Sequence, residues 1–398
     1  MHESQSTRRS DPARRRAIRQ ARTARNMREH GLALCVLSLA ILLFFGIASI
    51  AARDREFSDT ENRSLAQMPE LTWASLLDGS WFSGVTDAWA DQFFARDGWM
   101  SLQLRWSRLT GSRESGDVFL CDDDYLIAKP AEADRTVLSE NEAAIDRFSG
   151  VYSDVSMLLL VIPEASQIIR QYLPKNAPVY DQLSVIEGIS LCDRVTILDG
   201  ISPLEAHAAE EIYYHTDHHW TSLGAYTVFC ANAEGLGIDP GNVTYGCYTV
   251  TDSFEGTLSS KSGSHTYLDS IQVYLPENTD LLYYVTYNGS GERVSSIFDS
   301  SCLEAKDKYT VFFGGNHPLV EIRTTADNGR NLLIFKDSYA NSFVQFLLPY
   351  YENIVMIDPR YYYDNVEAVM NSKGITDVLF LYSADTFTTD SSLADVLG

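Results

Sequence analysis

The longest apolar stretch of the chain is residues 31–52, which carry no charged side chain. As a helix it would be about 33 Å long, enough to cross the apolar core of a bilayer, which is about 30 Å thick. Nine arginines and three acidic residues precede it. The positive-inside tendency therefore predicts a cytoplasmic basic tail over 1–30, a transmembrane signal anchor over 31–52 and an extracytoplasmic body. Cleavage as a signal peptide near Ala51 is the alternative, although the apolar regions of signal peptides usually have about 7–15 residues.

Residues 53–130 mix polar positions with tryptophan and phenylalanine at helical spacing. Trp89 and Phe93, and again Leu102 and Trp106, lie four residues apart, which is typical of one face of an amphipathic helix. The pattern predicts a helical lead-in that packs on the main domain. An aromatic platform for sugar binding is the alternative.

Short apolar runs alternate with helical patterns over residues 131–398, which indicates an α/β domain with a parallel sheet and helices on both faces. About 244–313 the pattern changes to period-two alternation with turn residues, which predicts a β-rich antiparallel insertion. The predicted strands are Ser156–Ile162, Arg194–Leu198, Ile271–Leu275, Leu281–Tyr287, Leu332–Phe335, Ile354–Ile357 and Asp377–Tyr382, and the predicted helices are Ser222–Leu236, Ala340–Leu348 and Val366–Asn371.

The net charge of −23 divides unevenly along the chain. Residues 1–30 hold nine basic and three acidic side chains, a balance of +6, so the rest holds 22 basic and 51 acidic, a balance of −29. Contacts to nucleic-acid phosphates require Lys and Arg, so the acidic body excludes nucleic acid as a partner. The six cysteines include no Cys-x-x-Cys pair, so a structural zinc site has no support. Cys230 and Cys247 are the first pair to consider for a disulfide, with unpaired thiols as the alternative.

Three of the eight histidines lie in the segment His215-Thr216-Asp217-His218-His219-Trp220. About 120 residues later, Lys336-Asp337-Ser338-Tyr339 ends a predicted strand. Ligands of such sheets bind beyond the carboxyl ends of the strands, which is where Ser338 lies. His219 supplies a base for a serine nucleophile, and Asp217 supplies the carboxylate that orients the base. The N-terminus of the next helix adds backbone N–H groups that can stabilise an oxyanion.

Less specific interpretations of the same residues remain open. His215 and His219 have the i, i+4 spacing of a helical metal pair, but no glutamate lies between them to act as a base. We therefore predict a metal-free site, with a metal centre or a purely structural histidine cluster as alternatives. Ser338 by itself would serve equally as the N-cap of the following helix.

The two segments resemble those of a known family. Thr216-Asp217-His218-His219-Trp220 resembles the Thr-Asp-x-His-Trp motif of the alginate O-acetyltransferase group of SGNH-hydrolase-like proteins, and matches more closely the bacterial DHHW family, named for its Asp-His-His-Trp sequence. Lys336-Asp337-Ser338-Tyr339 resembles the Gly-Asp-Ser-Phe/Tyr nucleophile block of that group, with Lys336 in place of glycine. The likeness runs from about residue 60 to the end, and includes Glu61-Asn62-Arg63-Ser64-Leu65, Asp91-Gln92-Phe93 and Arg96-Asp97.

The resemblance implies a flavodoxin-like SGNH fold in which the triad order is circularly permuted, because Asp217 and His219 precede Ser338. It implies that Ser338 accepts an acyl group, that His219 acts as general base and then acid, and that Asp217 orients His219, without a cofactor. Asn316 is the candidate oxyanion donor, with a simple Asn-His turn as the alternative. Trp220 and Tyr339 are candidates for contacts with sugar rings, with core packing as the alternative.

The implied activity is acetyl transfer to a hydroxyl of an exported polysaccharide or wall polymer. In the family, a multi-spanning membrane-bound O-acyltransferase is the partner that delivers the acetyl group. The acidic body would repel an anionic polymer, so a neutral or weakly charged acceptor is expected. An extracytoplasmic esterase with the same triad, and a non-catalytic polysaccharide-binding or assembly protein, are the alternatives.

Overall fold

A computed structural model describes residues 12–58, 60–61 and 63–398 of the chain. The first eleven residues of the predicted basic tail, and Asn62 of the segment that resembles the family, lie outside the described residues. The chain forms two compact units, one of residues up to 58 with 63–99, and one of residues 59–62 with 100–398.

The first unit is built on one long helix. Helix α1 has bounds Pro12–Ala51, and its part Arg19–Ala51 is long and apolar enough to cross a membrane, as some signal sequences also are. The ring of Phe45 stacks on Phe93 with centroids 5.7 Å apart, and Ser49 Oγ accepts a hydrogen bond from Phe94 N at 3.0 Å. These contacts tie the segment around Phe93 to the C-terminal part of α1. Next along the chain are β1 (Phe57–Ser58), β2 (Arg63–Ser64), α2 (Trp73–Leu77), α3 (Ser80–Asp91) and α4 (Arg96–Leu109).

The aromatic stretch is helical, as its spacing predicts. Trp89 lies in α3, and Leu102 and Trp106 both lie in α4, whereas Phe93 follows the end of α3. The helical prediction is wrong beyond α4, where a three-stranded antiparallel sheet follows. Its strands are β3 (Glu114–Ser115), β4 (Val118–Leu120) and β5 (Leu126–Ala128).

The remaining elements of the second unit alternate between strands and helices. The strands are β6 (Ser156–Ile162), β7 (Val195–Ile197), β8 (Tyr245–Phe254), β9 (Asp269–Pro276), β10 (Tyr283–Tyr287), β11 (Arg293–Val294), β12 (Leu319–Thr324), β13 (Asn331–Lys336), β14 (Asn353–Ile357) and β15 (Asp377–Ser383). The helices are α5 (Arg135–Val151), α6 (Ala165–Ile168), α7 (Leu183–Glu187), α8 (Ser202–Ala206), α9 (Ser222–Ala231), α10 (Thr257–Ser262), α11 (Ala340–Phe343), α12 (Val366–Lys373), α13 (Ala384–Thr389) and α14 (Ser392–Leu397).

The main sheet is mixed rather than parallel. Its eight strands have the order β11-β10-β12-β14-β13-β15-β6-β7. The five strands from β14 to β7 are parallel, as predicted, whereas β12 pairs antiparallel with β14, and β10 and β11 continue antiparallel beyond β12. The prediction of a wholly parallel sheet is therefore wrong at this edge.

Part of the predicted insertion belongs to the main sheet. The predicted strand Leu281–Tyr287 is β10, which pairs with β12 in the register Val285↔Ile322. The period-two pattern identifies β10 as a strand but not its partner, because strand pairing is non-local. Strands β8 and β9 form a separate two-stranded antiparallel sheet that includes the predicted strand Ile271–Leu275.

The main sheet is buried on both faces. Along β6, Leu158 and Leu160 face one apolar core, and Leu159 and Val161 face the other. Helix α9 packs into the first core, and α5 and α12 pack into the second, so the prediction of helices on both faces is confirmed. Burial on both sides explains why the parallel strands are almost continuously apolar in sequence.

Two predicted helices are shorter than their apolar patterns. Helix α9 begins at Ser222 as predicted but ends at Ala231, five residues before Leu236. The predicted helix Ala340–Leu348 is only α11 followed by single 3₁₀ turns, in a segment that includes Pro349, which cannot donate a helical hydrogen bond. All six cysteines are free, so the structure contains no disulfide between Cys230 and Cys247.

Candidate active site

The Asp-His-His-Trp segment is a tight loop that enters α9. Tyr213 and Trp220 form an antiparallel bridge that closes the loop, and Thr221 caps α9 by accepting a hydrogen bond from Gly224 N at 3.2 Å. Inside the loop, Asp269 of β9 accepts hydrogen bonds from the backbone N–H groups of His215 and Thr216, each at 2.8 Å. A buried carboxylate thus holds the loop in one conformation.

Ser338 lies beyond the carboxyl end of β13, in the turn that leads into α11. The carboxylate of Asp337 holds this turn, because one oxygen accepts from Tyr339 N at 2.9 Å and the other accepts from Ser383 N at 2.8 Å at the end of β15. Asp337 is buried, whereas Ser338 is partly exposed. The side chain before the serine therefore fixes the turn, and the serine itself remains accessible.

Asp217, His219 and Ser338 form a continuous hydrogen-bonded series. Asp217 Oδ1 lies 2.6 Å from His219 Nδ1, and His219 Nε2 lies 2.7 Å from Ser338 Oγ. Because the carboxylate accepts the Nδ1 proton, Nε2 is left unprotonated and accepts the proton of the serine hydroxyl. This is the arrangement that activates a serine nucleophile.

The carboxylate of Asp217 is itself fixed from its other side. Its Oδ2 accepts hydrogen bonds from Thr257 N at 2.8 Å and from Thr257 Oγ1 at 2.9 Å. Burial alone would raise the pKa of Asp217, but the adjacent imidazoles of His218 and His219 and the bonds from His219 and Thr257 hold the pKa below its usual value. Asp217 is therefore ionised when it orients His219.

The segment that carries Thr257 approaches the loop so closely that it needs a glycine. A Cβ at Gly256 would lie 2.4 Å from Asp217 Cβ and 2.6 Å from Thr216 O, far inside van der Waals contact. Gly256 N also donates to Thr216 Oγ1 at 2.9 Å. The absence of a side chain at this position lets Thr257 reach the carboxylate.

Tyr309 packs flat on the imidazole of His219. The ring centroids are 3.9 Å apart and the planes differ by 11°. The hydroxyl of Tyr309 donates to the carbonyl oxygen of Ser338 at 3.1 Å. One side chain therefore contacts both His219 and the backbone of Ser338.

Asn316 and Lys336 form a second polar group near the nucleophile turn. Lys336 Nζ donates to Asn316 Oδ1 at 3.1 Å and to Asn341 Oδ1 at 3.0 Å, and lies 3.4 Å from Asp358 Oδ2. Burial lowers the pKa of Lys336, and the charge of Asp358 opposes that shift. Asn341 Nδ2 donates to the same Asn316 oxygen at 3.2 Å, so the amide of Asn316 is oriented with its oxygen inward. Among the described residues, Asn316 Nδ2 has no hydrogen-bond partner and remains a donor.

The residues of this site lie in a region that matches a known protein family. Residues 197–357 match the family described as DHHW protein, and this range includes Asp217, His219 and Ser338. The chain contains a DHHW family domain. The resemblance that the two motifs indicate is therefore confirmed.

The chain is also similar to several solved structures. A DHHW family protein from Eubacterium siraeum is 26% identical with a TM-score of 0.59, and the match covers 71% of this chain and 95% of that chain. Bacillus cereus PatB1 is 19% identical with a TM-score of 0.56, covering 68% and 97% of the two chains. The O-acetyltransferase domain of Pseudomonas putida AlgJ is 15% identical with a TM-score of 0.45, covering 70% and 94%. No curated protein matches the chain.

Within the DHHW domain, the two aromatic candidates for sugar contacts are core residues. Trp220 is 0% exposed, donates from Nε1 to Tyr339 O at 2.9 Å and stacks on Phe343. Tyr339 is 1% exposed. Neither ring has a face open to a sugar, so the prediction of substrate contacts is wrong and the alternative of core packing is correct.

Tyr339 also reaches a buried carboxyl group at Glu164, which lies before the DHHW family domain in the chain. Its hydroxyl lies 2.9 Å from Glu164 Oε2 and 2.6 Å from His218 O. Burial, reinforced by the charge of Asp385, raises the pKa of Glu164 well above its usual value. The single proton of the Tyr339 hydroxyl is donated to one of these two acceptors, Glu164 Oε2 or His218 O.

Three ligand-type side chains, Asp217, His218 and His219, lie close enough together to hold a metal ion. Most of their ligand atoms already have hydrogen-bond partners, however. Both oxygens of Asp217 and both nitrogens of His219 have hydrogen-bond partners, and His218 Nδ1 lies 3.0 Å from Thr257 Oγ1. The donor set therefore fits a hydrogen-bonded acid–base series better than a metal centre.

Sequence reasoning missed the residues that surround the series. Asp269, Thr257 and Tyr309 all come from the region predicted as an insertion, and each reaches the site through the fold. No spacing in the sequence links them to Asp217 or to His219. The glycine before Thr257 is visible in the sequence, but the close approach that requires it is not.

Proposed function

We propose that this chain is a membrane-anchored, extracytoplasmic O-acetyltransferase that acylates a sugar hydroxyl of a cell-surface or exported polysaccharide through an acyl-enzyme on Ser338. The observation that carries the proposal is the hydrogen-bonded series from Asp217 through His219 to the partly exposed Ser338. A serine in this setting loses its proton to the imidazole as it attacks a carbonyl carbon.

The reaction has two halves that use the same residues. In the first, Ser338 Oγ attacks the acetyl donor, its proton passes to His219 Nε2, and the proton then goes to the leaving group. In the second, His219 takes the proton of the sugar hydroxyl as that oxygen attacks the acyl carbon, and returns it to Ser338 Oγ. Asn316 Nδ2 is the proposed oxyanion donor, since the Asn316 oxygen is held by Lys336 and its N–H groups have no partner among the residues that the structure describes.

The family resemblance supports an SGNH-like arrangement in which Asp217 and His219 precede Ser338, the reverse of the usual order in SGNH esterases. Lys336 stands where the resembling proteins have glycine. Its ammonium group contributes to orienting Asn316, so the substitution is compatible with an oxyanion site of this kind.

Location and partners follow from the same resemblance. Helix α1 supports an uncleaved anchor, and the arginines before it favour an extracytoplasmic body. A membrane-bound O-acyltransferase is the proposed acetyl donor. The acidic body favours a neutral or weakly charged polysaccharide as the acceptor.

An esterase with the same triad is the second candidate, because both reactions begin with the same acyl-enzyme. The two differ in whether water or a sugar hydroxyl reaches the acyl carbon, which depends on how the acceptor is positioned.

The test is to give the full chain, purified in detergent, p-nitrophenyl acetate with and without neutral oligosaccharides. Free acetate and acetylated sugar are followed by mass spectrometry. Acetyl-sugar that forms in preference to acetate, and is lost in Ser338→Ala, supports the transferase. Acetate release that no sugar diverts indicates the esterase. His207→Ala is the matched control. It also removes an imidazole that is paired with a carboxylate, since His207 Nδ1 lies 2.7 Å from Glu210 Oε1, but this pair is not part of the site.

A further inference from the structure

The second imidazole of the motif, His218, lies beside His219 but outside the proposed acid–base series. The two ring centroids are 3.9 Å apart, with the planes tilted by 37°. The side chain of His218 is 39% exposed, whereas that of His219 is 7% exposed. His218 is therefore the open imidazole next to the reacting atoms.

The protons around Thr257 determine which tautomer His218 adopts. The hydroxyl of Thr257 has one proton, and it donates this proton to the ionised Asp217 Oδ2 at 2.9 Å. His218 Nδ1 lies 3.0 Å from the same hydroxyl oxygen, which can then only accept. His218 Nδ1 must therefore carry a proton and donate it to Thr257.

The other nitrogen of His218 follows from this assignment. Partial burial of the ring and the neighbouring His219 lower the pKa of His218 to about 4, so the ring is neutral at neutral pH. A neutral ring protonated on Nδ1 has an unprotonated Nε2, which is a hydrogen-bond acceptor. Among the described residues, no donor is bonded to this nitrogen. The loop thus carries two acceptor nitrogens, Nε2 of His219 and Nε2 of His218, on rings whose centroids are 3.9 Å apart.

We propose that His218 Nε2 binds a second hydroxyl of the acceptor, so that the enzyme prefers acceptors with two neighbouring hydroxyl groups. This rests on the proposed acyl transfer. One hydroxyl gives its proton to His219 Nε2 while its oxygen forms the new ester bond and the bond from the acyl carbon to Ser338 Oγ breaks. That proton then moves to Ser338 Oγ. The neighbouring hydroxyl keeps its proton and donates it to His218 Nε2 as a hydrogen bond.

This makes His218 a residue that positions the acceptor. Water has no second hydroxyl, so a contact that recognises a diol favours transfer over hydrolysis of the acyl-enzyme. A purely structural role would instead involve only His218 Nδ1, through its hydrogen bond to Thr257 Oγ1. The two roles use different nitrogens and can be separated.

The experiment uses two simple alcohols that differ in a single hydrogen-bond donor. Ethylene glycol has a second hydroxyl next to the reacting one, and 2-methoxyethanol has an ether oxygen there. The full chain is acetylated on Ser338 with p-nitrophenyl acetate in the presence of each alcohol. The ratio of acetyl-alcohol to acetate is measured and corrected for the two equivalent hydroxyls of the glycol. The wild type is expected to favour the glycol by about three- to tenfold, as one neutral hydrogen bond would give.

Two variants separate the nitrogens of His218. Asparagine is short and its amide reaches the position of Nδ1, so His218→Asn keeps the bond to Thr257 and loses the acceptor. The longer glutamine reaches the position of Nε2, so His218→Gln keeps an acceptor there. The preference for ethylene glycol over 2-methoxyethanol should disappear in His218→Asn, and should be retained in part in His218→Gln.

The outcomes distinguish this inference from the function on which it rests. If Ser338 is never acetylated, the proposed function fails and the inference fails with it. If Ser338 is acetylated but the wild type shows no preference between the alcohols, or transfers to neither, the inference alone is overturned. A preference that His218→Asn retains also overturns it, because the Nδ1 contact would then be sufficient.

Discussion

The ring of Tyr309 lies parallel to the imidazole of His219, with centroids 3.9 Å apart, and its hydroxyl donates to Ser338 O at 3.1 Å. Such a stack limits the rotation of the imidazole and keeps Nε2 directed at Ser338 Oγ. Tyr309 comes from the segment before β12, far in sequence from both partners. The imidazole of His219 is thus held from two sides, by the hydrogen bond to Asp217 and by Tyr309 against the ring face.

Two replacements of Tyr309 separate the effect of its ring stack from the effect of its hydroxyl hydrogen bond. Tyr309→Phe keeps the stack and loses one hydrogen bond, so acylation of Ser338 should slow only a few-fold. Tyr309→Leu loses the aromatic contact, worth about 0.5–1.5 kcal/mol, and should slow acylation by about tenfold or more because the imidazole is no longer fixed. Stopped-flow release of p-nitrophenol measures both rates. Equal rates in Tyr309→Leu and wild type would show that the stack plays no part in orienting His219.

Changing the carboxylate of the series should have a much larger effect. Asp217→Asn keeps the shape of the side chain but can no longer stabilise the tautomer that leaves His219 Nε2 unprotonated. Acylation of Ser338 should fall by about 10⁴-fold. Circular dichroism checks that the fold is retained, and Asp337→Asn is a useful comparison because Asp337 accepts only backbone hydrogen bonds. A loss of less than about tenfold in Asp217→Asn would contradict the proposed role.

The buried acids near Tyr339 predict how stability depends on pH. Burial and neighbouring acids raise the pKa of Glu164, and burial raises the pKa of Asp385 to about 6. Because both pKa values are higher in the folded state than in the unfolded state, the folded protein holds protons that the unfolded chain has released. The contribution of these two acids to the free energy of unfolding therefore falls as the pH rises from about 4 through 6, and is larger at pH 5 than at pH 7.

Thermal unfolding in detergent at pH 5 and pH 7 measures how the contribution of Glu164 and Asp385 to stability changes with pH. In the double variant Glu164→Gln with Asp385→Asn, the difference in the free energy of unfolding between pH 5 and pH 7 should change by an amount on the order of 1 kcal/mol. Glu140→Gln with Asp154→Asn is the matched control, because it replaces the same two types of carboxyl group at exposed positions. If the control variant and the buried variant lose the same amount, the effect belongs to the overall charge rather than to the buried pair.

The membrane topology gives a separate prediction. With α1 uncleaved and the arginines inside, external protease on intact spheroplasts should digest the body and leave a fragment of about residues 1–52. An epitope at the N-terminus should remain with the membrane and stay protected until the cells are permeabilised. Protection of the whole chain would contradict the topology, and release of a body without the epitope would indicate a cleaved signal peptide.

Several parts of the site could be predicted from the sequence because they follow from local rules. Ser338 ends an apolar run, and parallel strands present their carboxyl ends at one edge of the sheet, so its exposure at that edge follows from the pattern. Asp217 and His219 are two residues apart in a loop, so a contact between them does not depend on bringing distant segments of the chain together. The structure places all three residues together.

Other features depend on contacts that a single sequence does not encode locally. Trp220 and Tyr339 lie beside the motifs and have rings suited to sugars, but only the fold shows that both are buried. Strand β10 has a clear alternating pattern, yet its pairing with β12 joins distant segments. Thr257 and Tyr309 reach the site from outside the motifs, so their roles could not be predicted from spacing.

The central claim is that Ser338 is a nucleophile activated by His219, and a covalent adduct tests it most directly. The full chain treated with an aryl sulfonyl fluoride and analysed by intact mass and peptide mapping should carry one sulfonyl group, on Ser338. The adduct should be absent in Ser338→Ala, form far more slowly in His219→Ala, and form at the normal rate in His207→Ala. An adduct that forms on another residue, or at an unchanged rate without His219, would contradict the account.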